Sequence, residues 1–131
     1  MFLLDTCALI FDALSPERLS KRAETAIGNG DDQGLLACSA ISLWEIAMLI
    51  AKGRLDPGID ALGFINLLLA ARRLQVLQIT PEIAVASADA GLFVHADPAD
   101  RIIAATALIH KARLITCDRH LAKVKGLSVL W

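Results

Sequence analysis

The feature that most narrows what this chain can fold into is an alternation. Short aliphatic runs recur between longer stretches whose apolar positions repeat every three to four residues. The runs at residues 1–5, 35–38, 76–79 and 113–117, with a weaker one at 127–130, read as strands. The stretches 16–28, 40–53, 59–73, 81–90 and 98–111 read as helices. Such βα alternation builds a parallel sheet covered on both faces. The expected fold is therefore an α/β/α sandwich of three layers around a central parallel sheet of four to five short strands. Local signals punctuate it: Ser15-Pro16 and Asp97-Pro98 place a capping side chain before a first-turn proline, and Gly28 and Gly53 follow helical runs as stops. The polar stretch 28–34 reads as a surface loop, with Asp31 and Asp32 solvated.

With 131 residues and 56% hydrophobic content, one domain spanning 1–131 can bury a core of its own. Charges, glycines and prolines break the apolar runs well short of the roughly 18 to 20 residues that span a bilayer, so no membrane segment is expected. The first residues show no basic stretch ahead of an apolar one and no small-residue cleavage site, which points to the cytoplasm. Cys7, Cys38 and Cys117 lack a C-x-x-C spacing and sit among apolar neighbours, as reduced, buried thiols do. His95, His110 and His120 show no zinc-ligand spacing. Residues 59–74 carry more apolar surface than one sheet contact needs, which suits either a partner interface or full burial.

Four acids stand out by position. Asp5 and Asp118 each end a strand-like run, Asp100 falls in the first turn of the helix capped by Asp97, and Glu45 shares a helix face with Ser42. In a parallel α/β sheet, residues past the strands' carboxyl ends share one rim, where ligands of such folds bind. Trp44, Ile41 and Met48 mark the expected core stripe of the Glu45 helix. Taken singly, Asp5, Asp118 and the Asp97–Asp100 pair also read as helix caps. As a set they read differently: carboxylates within about 4 Å repel by roughly 1 to 4 kcal/mol per pair, a conflict that a divalent cation removes. Hard oxygen donors with few histidines suit Mg²⁺ or Mn²⁺. Thr6 and Thr116 stand beside the first and last acids, where their hydroxyls suit orienting a carboxylate or packing against the backbone. The net charge of −1 hides an asymmetry, because residues 101–131 carry Arg101, Lys111, Arg113, Arg119, Lys123 and Lys125 against Asp118 alone. That segment reads as a basic patch for a phosphate backbone or as solvated surface charge.

Four blocks, in order, carry a resemblance: Leu3-Leu4-Asp5-Thr6, then Ser39 through Ala47 with Trp44-Glu45, then Asp97-Pro98-Ala99-Asp100-Arg101 running on to Ala107, then Thr116-Cys117-Asp118-Arg119. Together they resemble the PIN domain, specifically the VapC-type toxins of bacterial toxin–antitoxin pairs, over essentially the whole chain. The resemblance implies a metal-dependent endoribonuclease with Asp5, Glu45, Asp100 and Asp118 as catalytic and metal-binding acids, Asp5 and Asp100 foremost. It implies Mg²⁺ or Mn²⁺ as cofactor, an RNA substrate held in part by Thr6, Thr116 and Arg119, a small cognate antitoxin and a homodimer. Ala99 and Cys117 depart from the family's usual residues, which touches packing and substrate fit. A PIN-like module that docks RNA or protein without cutting is the alternative. Other acid-bearing folds fit worse: position 7, where a haloacid-dehalogenase phosphatase needs a second Asp, is Cys7, and no Gly-rich phosphate loop is present.

Overall fold

The computed structural model describes residues 1–94 and 96–131. Five strands, β1 (Phe2–Leu4), β2 (Leu36–Ser39), β3 (Gln75–Leu77), β4 (Arg113–Ile115) and β5 (Val129–Leu130), form one all-parallel sheet in the order β3-β2-β1-β4-β5. The helices are α1 (Thr6–Leu14), α2 (Lys21–Gln33), α3 (Ala40–Ala51), α4 (Ala61–Ala71), α5 (Pro81–Ser87) and α6 (Pro98–His110). Side chains alternate across a strand, so Leu3 and Leu4 enter opposite cores. Leu4 packs with Leu9, Ile27, Ile46 and Phe64 from α1 to α4. Leu3 packs with Ile83 of α5 and Ile103 of α6. This is the expected three-layer sandwich.

The chain builds from β1 toward β3 on one side and then crosses to place β4 and β5 on the other. The direction reverses between β1 and β4, which pair in parallel with Leu4 opposite Ile115. Such a switch point opens a crevice at the carboxyl ends of the strands. Among the described residues no helix is long and apolar enough to cross a membrane.

Several local expectations are corrected. Helix α1 has no counterpart in the sequence reading; it starts directly from β1, with Asp5 as its cap. The helix expected at 16–28 is a 3₁₀ turn at Pro16–Arg18, in which Ser15 makes no side-chain cap, followed by α2, capped by Ser20. Gly28 does not end it. The helix continues through the supposed loop to Gln33, and Gly34 supplies the left-handed cap at φ 68°. Gly30 lies inside because an added Cβ would sit 2.5 Å from Leu36 Cδ2, so its bareness lets α2 lie close on β2. Asp31, far from being merely solvated, joins Asp12 around Arg72. The guanidinium donates two bonds of 3.0 Å to Asp12 and one of 3.1 Å to Asp31, tying α1, α2 and the end of α4 together.

On α3 the buried residues are Ser42 and Ile46, and Trp44 stands 57% exposed. The core stripe placed on Trp44 therefore points to the wrong face of α3, because the flanking α1, α4 and α6 decide which face is covered. Cys38 is buried as expected, but Cys7 and Cys117 are exposed, since each follows a strand end and emerges at the rim. His95 lies outside the described residues.

Candidate metal centre

Each acid reaches the crevice by a different device. Asp5 is the first residue past central β1; its backbone N–H still donates to Ile115 O across the sheet at 3.1 Å, and its Oδ1 accepts from Ala8 N at 2.7 Å, capping α1. Asp118 follows β4. Its N–H donates to Thr116 Oγ1 at 3.0 Å and its Oδ1 accepts from His120 N at 2.8 Å. Asp97 caps α6 by accepting from Asp100 N at 2.8 Å, and Pro98 opens the helix, which sets Asp100 in the first turn, pointing back to the rim. Glu45, one turn into α3, accepts from Thr6 Oγ1 at 2.5 Å, and that hydroxyl also pairs with Ser42 Oγ at 3.0 Å. Of the four, Asp5 caps a helix itself and Asp97 caps the helix that carries Asp100, whereas Asp118, also expected to cap, bonds only the turn at His120.

The electrostatics record their nearness. Burial pushes the Asp5 carboxyl up to about 6, with Asp118 and Glu45 adding repulsion, while donors from Thr116 and Ala8 hold it down. Burial also pushes Asp100 up to about 7, and Asp97, Glu45, Asp118 and Asp5 each raise it further. Glu45 is raised by burial and by Asp97 and lowered by its bond from Thr6. Asp97, set aside in the sequence reading, is a fifth charge felt at this centre. The acids converge without closing: among the described residues no three His, Cys, Asp or Glu side chains form a group tight enough to grip an ion. Mutual repulsion favours that spacing, and Glu45 and Asp5 each spend an oxygen on a local donor. The donor set itself, carboxylates alone with hydroxyls behind them, suits a hard divalent cation.

Cys7 and Cys117 lie within electrostatic reach of the same acids. Partial burial of its sulfur, then Asp5, pushes the Cys7 thiol up to about 11, so it stays protonated at neutral pH. Burial and then Asp5 raise the Cys117 thiol, and Arg18, whose guanidinium lies 4.1 Å over the Phe11 ring, is close enough to offset a little of that rise, a cation near the rim that sequence reasoning missed. No sequence signal could have placed it there, because the 3₁₀ turn after α1 brings it back. The expected basic patch is divided. Arg119 lies just past the strand end at the rim, whereas Lys111 ends α6 and Arg113 opens β4, both toward the amino-terminal ends of the strands, away from the rim.

This fold and acid-lined crevice define a recognisable class. Residues 2–127 match the PIN domain, and the chain belongs to that family. It is similar to ribonuclease VapC22 of Mycobacterium tuberculosis, 37% identical over 119 residues, which span 91% of this chain and 88% of that protein. Two solved structures share its fold: VapBC2 of Rickettsia felis bound to a promoter DNA fragment, with TM-score 0.75 and 15% identity, and DNA-bound VapBC of Salmonella typhimurium, with TM-score 0.72 and 19% identity. Each match covers 98% of this chain and 96% of the other.

Proposed function

We propose that this chain, as one domain over 1–131, is a divalent-metal-dependent endoribonuclease of the VapC type, the toxin of a toxin–antitoxin pair. One observation carries the reading: Asp5, Glu45, Asp100 and Asp118, drawn from four separate stretches, come near enough at the carboxyl ends of the strands for their charges to raise the Asp5 and Asp100 carboxyls. The likeness to a protein named as a ribonuclease supports it. Asp5 and Asp100 are the principal ligands for Mg²⁺ or Mn²⁺, with Glu45 and Asp118 completing the set. Such an ion, when bound, polarises a phosphodiester and acidifies a water for in-line attack. The chain's own residues do the rest. Thr6 fixes the Glu45 carboxylate, Thr116 steadies Asp5, and Glu45 or Asp118 orients the attacking water and takes its proton. Arg119 holds the RNA backbone.

The partner we assign is a small antitoxin, as in the VapBC assemblies that share the fold. Between α1 and α4 lies an apolar groove lined by Leu9, Leu14, Ile59, Phe64 and Leu67, and α4 exposes 70% of Leu62 and 62% of Leu67. That surface fits an amphipathic segment of such a partner. We further propose a homodimer acting in the cytoplasm; light scattering at micromolar concentration reads the former.

The primary test incubates RNA with Mg²⁺ or Mn²⁺ and compares wild type, chelator-treated protein and Asp5→Asn. Cleavage by the first alone is expected; equal cleavage by all three identifies a contaminant and rejects the reading. The open spacing of the acids favours one alternative, a PIN scaffold that docks RNA without cutting it. Calorimetric titration with Mn²⁺ separates them, since the nuclease requires binding that Asp5→Asn and Asp100→Asn abolish.

A further inference from the structure

A cavity of about 400 Å³ adjoins the acid centre and takes no part in the chemistry above. One wall is the segment after α5, with Leu92, Phe93 and Val94; the other is the turn after Asp118, with His120, Lys123 and Val124. Phe93 and Val124, 1% and 9% exposed, lie buried beneath the cavity, so its apolar surface comes from the half-buried Leu92 and from Val94, which at 64% stands at the mouth. The two walls are anchored independently. Arg101 Nε donates to Ala96 O at 3.1 Å, tying the first wall to the helix that carries Asp100. His120 N donates to Asp118 Oδ1 and Ala122 N to Asp118 O, tying the second to the acid itself.

The volume lies within the range of small-ligand pockets, roughly 300 to 1,000 Å³, which are apolar with a few placed polar groups. Its lining sorts by chemistry. The apolar surface of Leu92 and Val94 accepts the face of a planar ring, and the Lys123 ammonium matches a phosphate. A nucleotide presents both features, and the cavity's wall residue His120 is bonded through its N–H to Asp118, an acid assigned to the reaction. Resting on the ribonuclease reading above, we propose that this cavity holds one nucleotide of a single-stranded RNA substrate, next to the scissile phosphate, with Leu92 and Val94 against the base and Lys123 on its phosphate. The pocket gives the enzyme a preference for the base at one position relative to the cut. The aromatic-poor composition, with only four Phe, two Trp and no Tyr, makes such a pocket the main means of reading a base.

The test uses short fluorogenic RNA oligonucleotides in which one nucleotide at a time is made abasic. Wild type is expected to lose about tenfold in kcat/KM at one position beside the cut and little elsewhere. Val94→Trp, an exposed substitution whose indole fills the mouth, is expected to raise KM about tenfold on intact RNA and to become indifferent to the abasic position. Lys123→Glu raises KM more than it lowers kcat and retains the abasic sensitivity. Loss of sensitivity in Val94→Trp supports the pocket. The same abasic profile in Val94→Trp and wild type, or no sensitive position in wild type, overturns it while leaving the nuclease reading in place. Intact RNA surviving wild-type enzyme with Mn²⁺ defeats the underlying reading instead.

Discussion

Thr6 Oγ1 lies 2.5 Å from Glu45 Oε1, a bond that spans 39 residues of sequence and joins the first turn of α1 to α3. It fixes the one acid of the four that comes from within a helix, and it holds the Glu45 pKa below the level that burial alone would set. Thr6→Val keeps the shape and removes the donor. Glu45 then titrates at higher pH, so the acidic limb of the pH–rate profile moves to higher pH and kcat falls by about tenfold or more. A variant that loses thermal stability yet keeps the wild-type profile would assign Thr6 to packing alone.

Two carboxyls raised above their ordinary values tax the metal-free protein at neutral pH. The folded state holds protons on Asp5 and Asp100 that an unfolded chain, with both near 3.8, releases first. Stability therefore falls as pH rises from about 4 through 6 and 7, and is flat with respect to these two groups above that. Asp5→Asn, which keeps a capping side chain, is expected to gain roughly 1 to 3 kcal/mol at pH 8 and almost nothing at pH 4. Thermal melts of metal-free wild type and variant across that range check the sign, and RNA cleavage by the same variant is lost.

Arg72 is the strut between α1, α2 and α4. Arg72→Met leaves Asp12, whose side chain is 12% exposed, without its two bonds. The expected cost is about 2 to 4 kcal/mol, the scale for stranding one half of a partly buried charge pair. Urea unfolding of the single variant, and of a variant that also carries Asp12→Leu, measures it; the second change should restore part of the loss.

Two glycines in α2 give opposite signs. Gly28→Ala meets open space and gains about 0.5 to 1 kcal/mol from helix propensity. Gly30→Ala drives a methyl against Leu36 and Phe2 and loses about 1 to 3 kcal/mol by overpacking. Denaturant midpoints of the pair suffice to compare them.

What the sequence disclosed follows from which forces are local. The strands, the Asp97-Pro98 start of α6 and the positions of Asp5 and Asp118 past strand ends rest on short-range pattern, and they stand as read. Helix α1 escaped notice because Ala8, Leu9, Ile10 and Phe11 give no clear polar face and follow β1 without a loop. Gly28 looked like a stop, and the reason glycine is tolerated in α2 lies instead in Gly30's approach to β2, a distant contact. Trp44 looked like core because it falls at helical spacing with Ile41 and Met48; its exposure depends on three helices that its own segment does not mention. Glu45's tie to Thr6 was legible only as two polar residues in want of partners.

The order of the strands also sets a timetable. Asp5 is among the first residues made, but the neighbour that lies across the sheet from it, β4 with Asp118 behind, is separated by more than a hundred residues of intervening chain. Non-local pairing of that reach is late and slow to form. Until synthesis has passed residue 118, a growing polypeptide carries Asp5, Glu45 and Asp100 without Asp118, so on the reading proposed above the acid set is completed only near the end of the chain.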